Sequence, residues 1–439
     1  MESEELTQRW RILLSYFRPE SPPPDMTLYV KPRRSCAEEV VYNLLAAPSA
    51  NRKFLLVGGR GGGKSTELRR ISHLLREKVV LAEIDLNRSG VLAAAVSAYD
   101  LLYISALALL KHLPEEDAEK LYEELATRYA GGDVEARKGL GKLSEALVGV
   151  ADFTKSATET ATALSLATGL VPGAGMVAAT LSVGLRLLSR PSDVVAETSP
   201  RGRSLQESAE KIARAVQQRV QRPLCVLIDG LEQMNGEAGE RFRQVFEQTR
   251  LLADTQWSAV IASPPSTLTE TSSVDGRGFS TKVVWGFGPD DLGALEDLLA
   301  LRLRDAGFDP GKDVIPGGLK KMAEMSGGLP RHAVMMVRDA IAPAMREGSV
   351  RLEPHHIEAG IREVGETLGR GLNEDHLKLL ERVARTGKLP GDEKAATLFA
   401  DGRILAYPPQ PPSVRPQFAV HPLLRADIDV SSEEGGSVA

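Results

Sequence analysis

The sequence predicts an α/β protein in which a parallel sheet flanked by helices is followed by an α-helical lid domain and a C-terminal winged-helix domain. Three observations predict it. Short apolar runs alternate with helical segments between residues 52 and 285, the first run ends in a glycine-rich loop, and helices alone fill residues 290–360. Strands that alternate with helices of this length form parallel sheets covered on both faces.

The individual elements follow from apolar periodicity and from helix-breaking residues. Strands are predicted at residues 54–57, 79–86, 223–229, 257–263 and 282–285. Helices are predicted at residues 4–17, 37–47, 64 onwards, 91–112, 205–219 and 237–252. Near the end of the chain, helices at 374–386 and 392–401 precede a proline-rich hairpin at 403–420, an order typical of a winged helix.

Composition limits the classes of protein to which the chain can belong. Of its 439 residues, 42% are hydrophobic and 26% are charged, as in ordinary globular proteins with several domains. The 59 acidic and 54 basic residues leave a net charge of −5, which argues against a strongly basic nucleic-acid-binding surface. Two cysteines cannot form a disulfide scaffold, and the start MESEELTQRW is unlike a secretory signal, so we expect a cytoplasmic protein.

A phosphate-binding loop is predicted at residues 58–65, where GGRGGGKS fits the pattern G-x-x-x-x-G-K-S/T between an apolar strand and a helix. Glycines let successive backbone N–H groups turn toward an anion, and the helix N-terminus adds favourable partial charge. Lys64 is expected to reach the β- and γ-phosphates, and Ser65 to ligate Mg²⁺. The residues predicted to line the phosphates are Gly58, Gly61, Gly62, Gly63, Lys64, Ser65 and Thr66.

Asp229 ends the apolar run VLID and is the second predicted metal ligand, since an acid at the end of a neighbouring strand can hold Mg²⁺ through water. The alternative is an aspartate that caps the next helix. Many P-loop ATPases place a second acid directly after this aspartate to polarise the attacking water, but here that position is Gly230. The nearest acid, Glu232, is the candidate catalytic base. If Glu232 faces away, hydrolysis is slow and the nucleotide marks a conformational state.

Further polar residues are candidates for nucleotide contact. Ser263 ends the fourth predicted strand at the carboxyl edge of the sheet, where open α/β sheets bind ligands, although a turn serine explains it nearly as well. Arg331 follows GGLP and, unless it is a surface arginine, approaches the phosphates from the helical lid. Arg250 is a weaker candidate for an arginine supplied to a neighbouring subunit.

The order of four features resembles the STAND class of signal-transducing ATPases. They are GGRGGGKST, VLIDGLE, the strand ending in Ser263, and SGGLP before a winged helix. That class includes the NACHT and NB-ARC switches and is related to AAA+ and origin-recognition-like ATPases. The resemblance covers residues 28–428 and is specific at class level. It implies that the GxP motif at 328–330, and Pro330 within it, contacts bound nucleotide.

The same resemblance extends to both ends of the chain. The segment YVKPRRSCAEE is similar to the stretch that borders adenine in the class, which implies that Tyr29, Val30 and Arg33 lie near the base. The segment HPLL at 421–424 is similar to the last strand and helix of the winged helix.

The resemblance implies ATP or ADP and Mg²⁺ as cofactors of a slowly hydrolysing switch that forms homo-oligomers and controls a partner, as in prokaryotic defence or stress signalling. The chain has no repeat sensor and no obvious effector domain, so a separate effector or sensor protein is expected. An AAA+-like ATPase acting on DNA is the alternative, although residues 392–402 carry three acids and one lysine, a poor surface for phosphates. A metabolic kinase is disfavoured by the lid and the winged helix.

The motifs divide the chain into predicted domains. These are a helical and linker segment at 1–50, a P-loop ATPase domain at 51–290 with a low-charge helical insertion at about 131–203, a helical lid at 291–365, a winged helix at 366–430 and a disordered tail at 431–439.

Residues 160–185, within the insertion, carry no charged side chain and are long enough to span a bilayer. Their content of Ala, Gly, Thr and Ser and the break at VPGAG favour a hairpin of two short helices that packs on the core or on a partner. Membrane insertion is therefore disfavoured. His355 and His356 are expected to be solvated rather than to bind a metal.

Overall fold

Five parallel strands form the central sheet that the alternating apolar runs predict. The structure is a computed structural model that describes residues 3–19, 26–32, 35–86, 96–130, 200–231, 245–246, 250–264, 278–409 and 416–428. In chain order the strands are β1 (Lys53–Val57), β2 (Val80–Asp85), β3 (Leu224–Asp229), β4 (Ser258–Ser263) and β5 (Phe279–Val283). Across the sheet they lie in the order β2-β3-β4-β1-β5, so β1 is an inner strand.

The strands form where apolar residues run without interruption, because helices cover both faces of the sheet. Every residue of β1, β3 and β4 is buried. The edge strand β5 begins at Phe279 rather than at the predicted residue 282, because its register pairs Phe279 with Lys53 at the start of β1. Its residue Lys282 forms an ion pair with Glu39 at 2.5 Å, as suits an edge that faces solvent.

Helices on both faces of the sheet create two separate cores. The helices are α2 (Ala37–Ala46), α3 (Lys64–Leu75), α4 (Ala98–Leu110), α5 (Glu115–Ala130) and α6 (Pro200–Val220). Residues of α2 and α3 share one core with Phe54 and Leu227, and residues of α4, α5 and α6 share the other with Leu55 and Ile228. Alternate strand residues therefore face different helices, as the two-residue repeat of a strand requires.

Two helices on the second face differ from the prediction. Helix α4 was expected from residue 91 but begins at Ala98, because Ser97 and Asp100 form a capping box at that point. Helix α5, rich in charge, was not predicted at all. It is held by packing, since Leu125 is buried and the Tyr129 hydroxyl donates to the Asp100 carboxylate.

A third core lies in the helical region after the sheet. Its helices are α7 (Leu292–Asp305), α8 (Pro310–Asp313), α9 (Gly318–Met325), α10 (Pro330–Arg346) and α11 (Pro354–Gly369). The N-terminal helix α1 (Ser3–Tyr16) belongs to the same core: Trp10 and Leu13 are buried, and the Trp10 indole donates to the Ser349 carbonyl at 2.9 Å. The segment predicted as residues 1–50 is thus divided, with α1 on the helical region and α2 on the sheet.

The last described elements are those of the predicted winged helix. They are α12 (Glu374–Thr386), α13 (Glu393–Ala400), β6 (Ile404–Tyr407) and β7 (Gln417–Val420), with β6 and β7 antiparallel. Side chains cap both helices, because Asn373 accepts from the His376 amide and Asp392 from the Ala395 amide. After His421 the chain forms a 3₁₀ helix, Pro422–Asp427. The predicted α/β class with a helical lid and a winged helix is confirmed.

Some predictions fall on residues that the structure does not describe. The uncharged stretch 160–185, nearly all of the insertion at 131–203, most of the helix at 237–252 and the tail at 431–439 lie outside the described residues. Within the described part of the chain, no helix combines the length and apolarity that a membrane span needs.

The backbone at Gly328 lies against the chain leaving the sheet, where the Phe287 amide donates to the Gly328 carbonyl at 2.8 Å. Gly328 has φ +80°, and a Cβ there would lie 1.8 Å from the Phe287 carbonyl oxygen. We expect Gly328→Ala to lower the free energy of unfolding by about 3 kcal/mol or more, since strain adds to a backbone clash. Denaturant unfolding of the purified chain measures this loss.

Gly348→Ala is the matched control. Gly348 also has a left-handed φ, +62°, but a Cβ there would meet no atom within 4 Å. Its substitution carries only the conformational penalty of about 1 kcal/mol. Equal losses in the two variants would show that the contact with Phe287 is unimportant.

Candidate functional site

The predicted phosphate loop connects the end of β1 to the start of α3. Lys64, the first residue of α3, is 5% exposed, and its ammonium donates to the Gly58 carbonyl at 2.8 Å and to the Gly59 carbonyl at 3.1 Å. Hydrogen bonds to a charged donor are stronger than neutral ones, so they fold the loop over its own lysine. The motif's cation is therefore held by carbonyl groups of the loop.

The backbone of the loop has a shape that suits an anion. Gly61 and Gly63 have φ values of +79° and +101°, and the Gly62 amide donates to the Gly59 carbonyl at 3.1 Å. A Cβ on Gly63 would meet no atom within 4 Å, so there is open space at the N-terminus of α3. Amide groups and the helix dipole at this end favour negative charge. The loop therefore fits the phosphates of a nucleotide.

Two oxygen ligands suited to Mg²⁺ lie on the same face of the sheet. Ser65 is the second residue of α3 and is half-buried. Asp229, 5% exposed, ends β3, and its Oδ1 accepts from the Gly230 amide at 3.0 Å. Asp229 is two residues after Leu227, whose side chain shares a core with α3, so both residues face α3. A hydroxyl and a carboxylate are the hard oxygen donors that Mg²⁺ prefers.

Ser263 lies beside the phosphate loop but on the other face of the sheet. It ends β4 in register with Val57, the last residue of β1. It follows Ile261 at the two-residue spacing, which places it on the face opposite to Asp229. Ser263 is 0% exposed, and its hydroxyl has no hydrogen-bond partner among the described residues. A buried hydroxyl without a partner is costly, so this position fits a group that bonds to it.

The N-terminus of α10 rests on the phosphate loop. The Arg331 amide faces the Gly61 carbonyl at 3.4 Å, and a Cβ on Gly61 would lie only 2.3 Å from the Arg331 Cβ. Pro330, the first residue of α10, therefore lies next to the loop. Glycine at residue 61 is required both by its φ and by this approach.

The winged helix also contacts the phosphate loop. The Arg60 amide donates to the Ala400 carbonyl at the end of α13 at 2.8 Å. A Cβ on Gly59 would lie 3.1 Å from the Phe399 carbonyl oxygen. The sequence does not predict this contact, because it joins residues far apart in the chain.

The segment expected near the base is tied to α3 by a buried carboxylate. Glu67, 4% exposed, accepts from the Tyr29 hydroxyl at 2.9 Å, the Ser35 hydroxyl at 2.8 Å and the Ala37 amide at 3.0 Å. Burial, and then the charge of Glu67, raise the pKa of Tyr29, so its hydroxyl stays protonated and donates. Val30 packs against the core of the helical region.

Of the three remaining predicted residues, two are not described and one, Arg250, is described. Glu232 and Arg33 lie outside the described residues. Arg250 is exposed and pairs with Asp254 at 3.2 Å, one helical turn away. It shows the geometry of an ordinary surface ion pair.

A buried histidine pair, which the sequence does not predict, joins the lid to the winged helix. His332 Nδ1 lies 3.0 Å from His421 Nε2, which also lies 3.0 Å from the Ser326 carbonyl oxygen. The Leu423 amide donates to His421 Nδ1, so Nε2 carries the proton of the neutral ring. His332 directly follows Arg331, and therefore this pair is one residue from the contact with the phosphate loop.

The expectation that His355 and His356 are both solvated is wrong for His356. His355 is exposed, but His356 is 0% exposed. The Nε2 atoms of both rings lie near Glu347 Oε2, at 2.7 and 3.0 Å. His356 Nδ1 accepts from the Glu353 amide at 3.0 Å, so its Nε2 carries a proton and cannot ligate a metal without losing this bond. His356 is a helix cap.

No protein-family model and no curated protein matches the chain. Several solved structures are similar to it, including the following three. The ORC2 protein of Aeropyrum pernix (ADPNP-ADP complexes) is 13% identical, with 94% of each chain covered and a TM-score of 0.39. The ORC1 protein of the same organism in complex with DNA is 15% identical, with 94% of this chain and 93% of that chain covered and a TM-score of 0.38. Cdc6p from Pyrobaculum aerophilum is 14% identical, with 93% and 94% covered and a TM-score of 0.36.

At these identities and TM-scores the likeness concerns the arrangement of the chain alone and carries no argument about ligands. All three are named as origin-recognition or Cdc6 proteins, and the resemblance to the STAND class is not confirmed. The sheet, the loop and the helical C-terminal region together define a P-loop NTPase fold.

The histidine pair predicts a loss of stability in acid. Burial, and then the charge of Arg331, lower the pKa of His332 to about 4, and burial with the neighbouring His332 lowers the pKa of His421. Both rings are therefore neutral in the folded chain. The contribution of the neutral rings to the free energy of unfolding is fully present above about pH 6.5 and is lost as the pH falls toward 4. For His332 alone this loss is about 3 kcal/mol. Denaturant unfolding at a series of pH values measures the slope.

His332→Asn keeps an acceptor near the Nδ1 position and removes the titrating ring, so it should flatten the slope between pH 6.5 and 4. His73→Asn is the control, because His73 is exposed on α3. A slope unchanged by His332→Asn would contradict the assignment.

Proposed function

We propose that the chain binds ATP and ADP with Mg²⁺ at the phosphate loop and hydrolyses ATP slowly. The observation that carries this proposal is the glycine-rich loop between β1 and α3, with open space at Gly63 and the ammonium of Lys64 beside it. Amide groups at a helix N-terminus together with a lysine are the recurring phosphate site of P-loop NTPases.

Different residues are proposed to bind the phosphates and the cation. Loop amides from Gly61 to Thr66 hold the phosphates, and Lys64 exchanges its loop carbonyls for phosphate oxygens. Ser65 and Asp229 would hold the cation. Bound Mg²⁺ would neutralise charge on the phosphate oxygens. Ser263 is on the opposite face of the sheet, so it would have to reach the nucleotide around the carboxyl edge at the end of β4.

The base is expected beside the segment that Glu67 holds. Tyr29 and Val30 belong to this segment, as does Arg33, and Pro330 approaches the nucleotide from the lid. These assignments rest on the resemblance together with the bonds that tie Tyr29 to α3.

Nucleotide state is proposed to control the lid and the winged helix. Helix α10 contacts the loop through Arg331 and Gly61, and α13 contacts it through Ala400 and Arg60. A γ-phosphate in the loop adds charge within reach of Arg331, so ATP and ADP interact differently with this junction. A ligand shifts a conformational equilibrium only through such differential contacts. The chain would then act as a STAND-like switch that assembles with itself and controls a separate effector.

An ATPase that acts on DNA through its winged helix is the second candidate. The origin-recognition structures, one of them in complex with DNA, fit this candidate better than the first. The charges do not favour it. Helix α12 exposes three bases and three acids: Lys378, Arg382, Arg385, Glu374, Asp375 and Glu381. On α13, Lys394 pairs with Asp375 at 2.7 Å, and the end of the helix rests on the phosphate loop. A DNA-binding surface is expected to be basic.

Lys64→Ala should abolish nucleotide binding, because it removes the cation of the loop. Calorimetric titration with MgADP measures the affinity. Wild type should also gain stability with the nucleotide, by about 2.7 kcal/mol at 100 times the dissociation constant. Lys320→Ala, which alters an exposed lysine on α9, should bind as wild type does. Retained binding in Lys64→Ala would exclude this site.

Light scattering under MgADP and under a non-hydrolysable ATP analogue tests the switch. We expect a larger assembly with the analogue, because only it supplies a γ-phosphate. Identical masses with both nucleotides, with and without a co-purified partner, would contradict the proposal that ATP drives assembly. Salt-dependent binding to duplex DNA at micromolar protein would favour the second candidate.

A further inference from the structure

Two strands of the sheet end in aspartate side by side. Strand β2 pairs with β3 over its whole length, from Val80 opposite Leu224 to Asp85 opposite Asp229. The ladder continues beyond this pair, because the Leu86 amide donates to the Asp229 carbonyl at 3.0 Å. Neighbouring strands lie about 4.8 Å apart. The carboxylates of Asp85 and Asp229 therefore end adjacent strands at the carboxyl edge of the sheet.

Both carboxylates belong to the face that α3 covers. Asp85 follows Glu83 at the two-residue spacing, and Glu83 accepts a hydrogen bond from Ser72 of α3. Asp229 follows Leu227 in the same way, and Leu227 shares a core with α3. Since α3 begins at the phosphate loop, Asp85 lies on the nucleotide side of the sheet, one strand beyond Asp229.

The usual position of a second acid is closed in this chain. Gly230 follows Asp229 with φ +101°, a left-handed backbone that side chains rarely adopt, and its amide donates to Asp229. An acid at residue 230 would be strained. Asp85 is half-buried, so water can reach it, whereas Glu83 and Glu67 are buried.

We propose that Asp85 is the general base that the VLIDG segment lacks. The inference rests on the proposed ATPase function. In hydrolysis the oxygen of a water bonds to the γ-phosphorus, and the bond from that phosphorus to the β,γ-bridging oxygen breaks. The bridging oxygen leaves on ADP with the electron pair. One proton of the water passes to the Asp85 carboxylate and from there to solvent. Asp229 would hold the cation and takes no proton.

Position along the sheet separates Asp85 from the other acids. Among the described residues, Asp85 and Asp229 are the acids that end strands at this edge, since β1, β4 and β5 end in Val57, Ser263 and Val283. The strand register therefore places the two carboxylates at the ends of two neighbouring strands, whereas in many P-loop ATPases both acids lie at the end of one strand.

Asp85→Asn tests this role by separating binding from turnover. MgATP affinity should stay within about threefold of wild type, while single-turnover hydrolysis should fall at least 100-fold, the usual loss with a general base. Asp85→Ser is made in parallel, and nucleotide-dependent thermal stabilisation shows that each variant folds.

Asp305→Asn is the matched control, because Asp305 is exposed at the end of α7. Glu232→Gln is the competing variant. Wild-type turnover in folded Asp85 variants, or a loss confined to Glu232→Gln, would overturn the inference. So would a wild-type chain that binds ATP without hydrolysing it, or an Asp85→Asn chain that no longer binds. Retained nucleotide binding in Lys64→Ala would instead contradict the proposed nucleotide site, and this outcome is distinct from a failure of the Asp85 proposal alone.

Discussion

The shape of the phosphate loop depends on contacts that three other groups make with its backbone. The ammonium of Lys64 donates to the Gly58 and Gly59 carbonyls. Helix α10 lies so close to Gly61 that a Cβ there would be 2.3 Å from the Arg331 Cβ. Helix α13 accepts a hydrogen bond from the Arg60 amide. Each contact is with backbone, so it depends on the path of the loop rather than on one side chain. Anything that changes this path is felt by the lid and by the winged helix together.

The start of α3 is fixed from the other side by Glu67. A buried carboxylate is expensive unless donors surround it, and here Tyr29, Ser35 and the Ala37 amide supply them. The segment that leads into α2 is thereby bound to the first turns of α3. The beginning of the chain, the loop and the lid thus converge on one helix terminus, which is where the physical chemistry of a phosphate site requires rigidity.

Local patterns predicted most of the fold. Continuous apolar runs located β1, β3 and β4, and the winged helix followed from helix 374–386 and the proline-rich hairpin. The prediction was wrong for two helices. The start of α4 is set by a local cap at Ser97. Helix α5 is stabilised by packing, because its apolar residues contact α4 and α6. Of the candidate site, the loop motif, Asp229 and Ser263 were recognisable because each adjoins a strand end.

By itself the sequence determined that strands alternate with helices, that a glycine-rich loop precedes α3, and that two helices and a hairpin end the chain. Periodicity and spacing carry that information, because they act between near neighbours. Only the tertiary structure decided that Asp85 lies beside Asp229, that His332 meets His421, and that α13 rests on the phosphate loop. These are contacts between distant segments, set by strand order and packing, which no local pattern encodes.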